Sequence, residues 1–106
     1  LIDMTFKAIA MGMPPFTCLN INFPNRPKFE GVKICRMAKS RWVNETVRRT
    51  HPYAGDYFWL VGECVDLEAE ATDTDRWALA HGYVAVTPTT LDVTATGMID
   101  ILKGSF

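Results

Sequence analysis

Residues 74–88 read TDRWALAHGYVAVTP and carry the clearest structural signals of the chain. Thr74 and Asp75 are residue types that cap helix N-termini, and they precede a short run of helix formers. Gly82 supplies the left-handed residue that commonly ends a helix. The β-rich run that follows ends at Pro88, which cannot continue a hydrogen-bonded ladder. The stretch therefore predicts a short helix followed by a strand.

The N-terminal part of the chain repeats this order of helix and strand. The apolar residues at helical spacing are Ile2, Phe6, Ile9 and Met13. Gly12 and the two prolines after Met13 end that helix. Residues 17–23 and 32–35 alternate apolar and polar side chains, which predicts two strands. A helix that leads into a strand is typical of an α/β layer, so we predict an α/β fold with residues 1–40 as the end of its core.

Two further β-rich runs, residues 42–49 and 57–65, flank a turn and predict a hairpin. At about 3.3 Å per residue each strand would reach roughly 30 Å, which is long for a chain of this size. The first run is too polar for the centre of a core. We therefore expect residues 41–65 to form a projecting arm that another subunit covers.

The rest of the chain divides into an acidic connection and a C-terminal segment. Residues 63–75 contain six acidic side chains and predict a loop. Residues 96–103 predict a short terminal helix, so that residues 74–106 form a C-terminal strand and helix segment. We predict that residues 1–106 are a single unit with one modest core, in which about two-thirds of the unfolded surface is buried.

Basic side chains are concentrated in residues 26–49, where eight of them meet only two acidic ones. They are Arg26, Lys28, Lys33, Arg36, Lys39, Arg41, Arg48 and Arg49. Such a patch could steer a phosphate-bearing substrate. It could equally be a solvated face or the partner of the acidic connection. The net charge of the whole chain is -1, which argues against a dedicated nucleic-acid binder.

Aromatic side chains crowd onto the predicted hairpin. They are Trp42, Tyr53, Tyr57, Phe58 and Trp59. Aromatic faces can stack on nucleobases, but Trp and Tyr also dominate protein interfaces. We favour the interface, with Trp42, Tyr57 and Trp59 as its candidates.

No residue pattern in the chain predicts a catalytic or metal site. The acidic residues lack calcium-loop spacing, and neither His51 nor His81 stands in a zinc or Ser/His/Asp motif. Three cysteines, an odd number, favour a reducing compartment, and we expect the cytoplasm. No apolar run approaches the roughly 20 residues that cross a bilayer, so we expect no membrane association. The chain begins at Leu1 in mid-helix, and we expect a fragment of a longer protein.

Residues 74–88 closely resemble the T-D-x-x-A-x-x-x-G-Y-V-S-I-T-P segment of the SurE family of nucleotidases and acid phosphatases. Residues 19–24, LNINFP, resemble the L-N-I-N-x-P strand of that family. Shorter matches lie between them, and Asp92 and Thr94 extend the likeness, which runs from about Cys18 to Thr94. Ala85 stands where the family usually has Ser. The N-D-D-G and S-G-I-N-x-G-x-N motifs of the family are absent, so the resemblance is to the C-terminal part.

The resemblance implies a Rossmann-like α/β core with a protruding hairpin and an exchanged terminal segment. It implies a parent enzyme that hydrolyses nucleoside 5′- and 3′-monophosphates with Mg²⁺ or Mn²⁺, and that assembles as a dimer or tetramer through the hairpin and the C-terminal segment. Catalytic residues and metal ligands are then expected upstream, and the chain alone is expected to be inactive and to bind no metal. Arg41, Arg48 and Arg49 are at most substrate-steering residues. The alternative is a non-catalytic oligomerisation or nucleic-acid-binding module.

Overall fold

The structure is a computed structural model that describes all 106 residues as three helices and seven strands. The elements are α1 (Ile2–Met11), β1 (Thr17–Asn22), β2 (Gly31–Ile34), β3 (Ser40–Val43), β4 (Thr46–His51), β5 (Gly55–Leu60), β6 (Glu63–Asp66), α2 (Asp75–Ala80), β7 (Tyr83–Thr90) and α3 (Thr96–Ser105). The predicted α/β class is confirmed. The chain divides into two compact units, one of residues 21–87 and one of residues 1–20 with 88–106.

The helix α2 begins and ends where the sequence predicts. The hydroxyl of Thr74 accepts a hydrogen bond from the backbone N–H of Trp77 at 3.2 Å, which caps the first turn. His81 is the C-cap residue of the helix. Gly82 follows with φ of 86°, a left-handed conformation that suits glycine. The chain then reverses into β7.

The strand β7 lies between β1 and β2 in a three-stranded sheet. It runs parallel to β2, with Gly31 opposite Tyr83 and Ile34 opposite Val86. Residues 84–87 of β7 are buried, and the small core of this unit joins Ala85 to Cys35 and Ala78. The sheet therefore forms from short segments that are distant in sequence.

The prediction that Pro88 ends this strand is wrong, because β7 continues to Thr90. The ladder with β2 has already stopped at Val86, whose carbonyl accepts from the N–H of Cys35 at 2.9 Å. On that side of the strand no ladder bond is lost when residue 88 lacks an N–H group. Proline is tolerated in a strand where its missing donor has no required partner.

The hairpin is present, but it is longer than predicted and is divided into two ladders. One ladder pairs β3 with β6 and the other pairs β4 with β5. Val43 faces Glu63 and Thr46 faces Leu60, so two residues on each strand separate the ladders and the register does not change. The pairing register of the two hairpin strands is therefore the same on both sides of the break.

Backbone conformation explains the break between the two ladders. Asn44 has φ of 53° and Gly62 has φ of 139°, both outside the strand region. A Cβ at residue 62 would lie 3.2 Å from the ring of Trp42, so glycine allows that ring to cover the break. One hydrogen bond still crosses it, from the N–H of Val61 to the carbonyl of Glu45 at 2.9 Å.

The acidic connection was predicted as a loop over residues 63–75, and this is wrong for its first part. Glu63–Asp66 is the strand β6, because its backbone groups pair with β3. The following residues return beside the end of β2, where Arg36 and Thr74 form a parallel bridge. The two acidic residues of β6, Glu63 and Asp66, thus do not prevent strand pairing.

The helices α1 and α3 contain no buried residue. The total accessible surface is 8822 Å², whereas a compact protein of this mass would expose roughly 5,900 Å². The prediction that two-thirds of the unfolded surface is buried is therefore wrong, since roughly half of about 17,000 Å² stays exposed. None of the three helices has the length and apolar character that a bilayer crossing requires.

Candidate functional site

The three arginines predicted to steer substrate do not converge on one point. Arg48 and Arg49 are neighbours in β4, so their side chains lie on opposite faces of the hairpin. The guanidinium of Arg48 forms a salt bridge with Asp56 across the ladder. Arg41 lies in β3, beyond the break, and neither it nor Arg49 joins an ion pair. Arg41 and Arg49 are therefore the two available cations of the hairpin.

The predicted interface residues are exposed, and two of them are brought together. Tyr57 and Trp59 alternate along β5 and lie edge to face with ring centroids 6.4 Å apart. Trp42 lies on β3 opposite Cys64. Trp42 is 60% exposed and Trp59 is 58% exposed. Aromatic rings with so much surface in water are typical of contact surfaces.

One side chain of the basic region, Arg36, pairs with the acidic connection, as one of the alternatives open from the sequence suggested. Arg36 donates from Nη1 to Glu68 and from Nε to Asp73, both at 2.8 Å. The backbone N–H of Lys39 donates to the same Glu68 oxygen at 2.7 Å. These bonds favour the ionised carboxyl and lower the pKa of Glu68 to about 2, and the bond from Arg36 also lowers the pKa of Asp73. We call Arg36, Glu68 and Asp73 the carboxylate clamp.

A second arginine, which the sequence did not single out, extends this pairing. Arg76 of α2 donates to the sulfur of Cys64 at 3.2 Å and lies 3.5 Å from a carboxylate oxygen of Asp66. It thereby connects α2 to the β6 strand. Arginine presents several donors in one plane, which allows a single side chain to hold two neighbours.

The carboxylates of the chain do not fit a divalent metal ion. No group of three or more His, Cys, Asp or Glu side chains is arranged to hold one. Glu68 and Asp73 are bound by Arg36, and Asp75 accepts from the backbone N–H of Ala38 at 2.9 Å. Oxygen ligands for Mg²⁺ or Mn²⁺ must converge on one point, and these oxygens are directed at cations and amides instead.

An aromatic stack on α2 was not predicted. Trp77 and His81 stack with centroids 3.9 Å apart, and the ammonium group of Lys33 lies 4.2 Å from the centroid of the Trp77 ring. Tyr83 lies nearly parallel to Trp77 at 6.2 Å. The spacing of four residues between Trp77 and His81 is the one signal that could have indicated it, since such residues adjoin on a helix.

An arginine that is distant in sequence caps the C-terminal end of α2. Arg26 donates from Nη2 to the carbonyl of Ala80 at 2.8 Å. The last carbonyls of a helix lack intrahelical partners and carry partial negative charge, so a cation is favoured there. Arg26 therefore has a structural role, although its place in the basic region suggested steering.

The arrangement offers surfaces for binding rather than groups for bond making. Both histidines form hydrogen bonds with backbone atoms: His51 accepts from two N–H groups, and Nδ1 of His81 contacts a carbonyl oxygen. Neither is aligned with a hydroxyl or thiol that it could activate. The surface features of the hairpin are its exposed aromatic rings and its two unpaired cations, Arg41 and Arg49.

Comparison with known proteins relates this fold to one group of enzymes. The chain is 52% identical over 100 residues to the 5′-nucleotidase SurE of Phocaeicola vulgatus, which covers 94% of the chain and 39% of that protein. It is 54% identical over 93 residues to the 5′-nucleotidase SurE of Bacteroides thetaiotaomicron, covering 88% of the chain and 36% of that protein. No protein-family model matches the chain.

The fold comparison agrees with the sequence comparison. The crystal structure of the SurE protein from Aquifex aeolicus matches with a TM-score of 0.65 at 31% identity, over 98% of this chain and 42% of that one. The resemblance to the SurE family is thereby confirmed, and this chain is a SurE-family sequence. It spans less than half the length of the relatives that it matches.

Proposed function

We propose that the chain is part of a SurE-type 5′-nucleotidase, a metal-dependent phosphomonoesterase that hydrolyses nucleoside 5′- and 3′-monophosphates. The observation that carries this proposal is 52% identity over 100 residues to a protein named as a 5′-nucleotidase. The aligned region takes in most of the chain, since it covers 94% of the 106 residues. Identity at this level over most of the chain supports membership of the same kind of enzyme.

The catalytic residues and the Mg²⁺ or Mn²⁺ ion of this enzyme belong, in our proposal, to residues outside these 106. The carboxylates between residues 66 and 75 that have partners bind Arg36, Arg76 or backbone amides. Both histidines bind backbone groups. The chain alone should therefore not hydrolyse nucleotides. We also expect a reducing cytoplasm, which the three free cysteines support.

A chimeric enzyme tests this proposal. The aligned 39% of the Phocaeicola vulgatus protein is replaced by this chain, and phosphate release from nucleoside monophosphates is measured with and without EDTA. We expect EDTA-sensitive hydrolysis by the chimera and none by the 106-residue chain. A folded chimera without activity would contradict the proposed function, and EDTA-sensitive hydrolysis by the chain alone would contradict the placement of the catalytic residues.

The role of this chain within the enzyme is, in our proposal, structural and oligomeric. The exposed surface exceeds that of a compact protein of the same mass by roughly 2,900 Å². A stable interface needs about 1,600 Å² in total, so the excess is large enough for a dimer contact as well as contact with the rest of the enzyme. We place the subunit contact at the hairpin, with Trp42, Tyr57 and Trp59, and at residues 74–106, giving a dimer or tetramer.

The double substitution Trp42→Ser and Trp59→Ser tests the oligomeric role in the active chimera. We expect it to convert the oligomer to a monomer, because two exposed indoles would lose the partner that covers them. Phe16→Ser, which removes an exposed aromatic ring outside both predicted contact regions, is the matched control. Light scattering measures the mass. An unchanged mass in the double variant, or dissociation of the control, would remove the hairpin from the interface.

The alternative function is a non-catalytic module that binds single-stranded nucleic acid through the aromatic and basic hairpin. Arg49 and the adjacent Tyr57 and Trp59 on one face are the observation in its favour. Affinity for an oligonucleotide would then fall steeply with salt, since phosphate contacts release counterions. If the chimera hydrolyses nucleotides and binds oligonucleotides negligibly at any salt concentration, the nucleic-acid-binding alternative is wrong.

A further inference from the structure

The tip of the hairpin is held by a histidine side chain. His51 ends β4 and faces Gly55, the first residue of β5. Nδ1 of His51 accepts hydrogen bonds from the backbone N–H groups of Tyr53 and Ala54, each at 3.1 Å. A ring nitrogen accepts only when it carries no proton, so this turn selects the neutral imidazole with its proton on Nε2.

The conformation of the turn explains why an acceptor is useful at residue 51. Pro52 presets φ at the second turn position, and Gly55 closes the loop with φ of 81°. Asp, Asn and Ser are favoured at the first position of such turns because a side-chain oxygen accepts from the N–H two residues later. His51 makes the same bonds with nitrogen. That nitrogen is lost as an acceptor when it binds a proton.

The surroundings of His51 do not compensate a positive charge. The other charged or titratable side chains of the hairpin tip are Arg48, Arg49, Tyr53, Asp56 and Tyr57. Asp56 is their one carboxylate, and its two oxygens bind Arg48 and Thr50 on the opposite face of the ladder. Arg49 lies on the same face as His51, two residues earlier, and adds a like charge. Every residue of β4 and β5 is exposed, so no other element of the chain covers the tip.

The second histidine of the chain behaves in the opposite way. Nδ1 of His81 lies 2.8 Å from the carbonyl oxygen of Trp77, which cannot donate a hydrogen bond. Nδ1 of His81 therefore carries a proton in the neutral ring and keeps it when the ring becomes charged. Protonation preserves this bond, whereas protonation of His51 removes two.

We propose that His51 is a proton-operated latch of the hairpin: the neutral ring holds the turn closed, and protonation releases the N–H groups of Tyr53 and Ala54. The proton enters at Nδ1, which changes from an acceptor into a donor that faces two other donors. The turn then loosens when His51 is protonated. The latch concerns the hairpin itself and holds whether or not the enzyme assignment is right.

Nuclear magnetic resonance of the full-length ¹⁵N-labelled protein tests the latch. We expect the ring nitrogens of His51 to show an unprotonated Nδ1 at pH 8. On protonation, the hydrogen-exchange protection factors of the Tyr53 and Ala54 amides should fall roughly tenfold, because two hydrogen bonds of ordinary strength are lost. Protection in the middle of the ladder, at Arg48, should change less.

Two variants make the test decisive. His51→Asp supplies an oxygen acceptor that stays ionised from pH 8 to pH 5, so protection should remain high over this range. His51→Ala supplies none, so protection should be low throughout. A proton on Nδ1 of His51 at pH 8, unchanged protection of the wild type after His51 is protonated, or the same loss in His51→Asp would each overturn the proposal.

Discussion

The hairpin tip and the β2–α2–β7 core are organised by different forces. In the β4–β5 ladder every residue is exposed, and the order comes from register, cross-strand pairs and the turn. Around β7, residues 84–87 are buried and small side chains bring segments together that are far apart in sequence. A two-stranded ribbon is marginally stable in water by itself. Buried packing therefore holds the core together, whereas the hairpin is held by backbone pairing and local side-chain bonds alone.

The largest expected effect comes from enlarging a core residue. Ala78 is 0% exposed and packs with Cys35 and Ala85, so Ala78→Leu has no space for the added carbon atoms. We expect a loss of about 3 kcal/mol in the free energy of unfolding, measured by urea denaturation. The same change in the hairpin, Ala54→Leu, should stay within about 0.5 kcal/mol because residue 54 is exposed. Equal losses would break the contrast between the two regions.

Substituting two glycines that have similar backbone angles distinguishes the cost of backbone strain from the cost of side-chain packing. Gly82 beside the core has φ of 86° and Gly55 in the hairpin has φ of 81°. A Cβ at residue 82 would lie 2.7 Å from Nη1 of Arg26, whereas a Cβ at residue 55 would have no atom within 4 Å.

Gly55→Ala should therefore cost about 1 kcal/mol, from the left-handed backbone alone. Gly82→Ala should cost about 2 kcal/mol, because it also displaces the hydrogen bond from Arg26 to Ala80. Unfolding free energies of both variants give the difference. Both glycine substitutions are then repeated in an Arg26→Ala background. If their losses in unfolding free energy still differ there, packing against Arg26 is not the reason for the difference.

Acid should affect the carboxylate clamp more than the salt bridge of the hairpin. The pKa of Glu68 is lowered to about 2, so the folded state stabilises the ionised carboxylate more than the unfolded state does. The stability it contributes is complete above its ordinary pKa of 4.5 and is lost as the pH falls towards 2. Glu68→Gln should thus be less stable than the wild type at pH 6, and the two should converge near pH 2.

The exposed pair of Arg48 and Asp56 is the matched comparison for the clamp. Asp56→Asn should cost only about 0.5 kcal/mol at pH 6, because water screens an exposed pair. Denaturation midpoints at several pH values measure both effects. A constant difference between Glu68→Gln and the wild type down to pH 2 would show that the carboxylate charge of the clamp does not stabilise the fold.

The smallest expected effect concerns substrate steering in the active chimera. Arg49 is in no ion pair and Arg48 is held by Asp56, so Arg49→Ser should lower kcat/KM at low salt by a factor of about two. Arg48→Ser should change it less, and kcat should be unaffected in both. High salt should abolish the difference, since charges are screened over about 8 Å at physiological ionic strength. A large fall in kcat with the oligomer intact would mean that the hairpin contributes to chemistry.

Local signals in the sequence predicted the elements whose causes are local. Thr74 and Gly82 bound α2 through a capping hydroxyl and a left-handed backbone, both of which act within a few residues. The hairpin could be predicted because its strands flank a short turn. The break at Asn44 and Gly62 could not, since it depends on two positive φ angles in residues that lie opposite each other only in the folded hairpin.

The sequence predicted which candidate residues are aromatic or charged, but it did not predict which residues they contact. The chain by itself determined that the hairpin carries aromatic rings and cations, and that it belongs with the SurE family, because these follow from composition and motif. The tertiary structure alone decided that Arg36 binds Glu68 and Asp73, more than thirty positions away, while Arg49 stays unpaired. It also decided which nitrogen of His51 and of His81 holds the proton. Charge pairing and protonation depend on distances of a few ångströms, which only the folded chain sets.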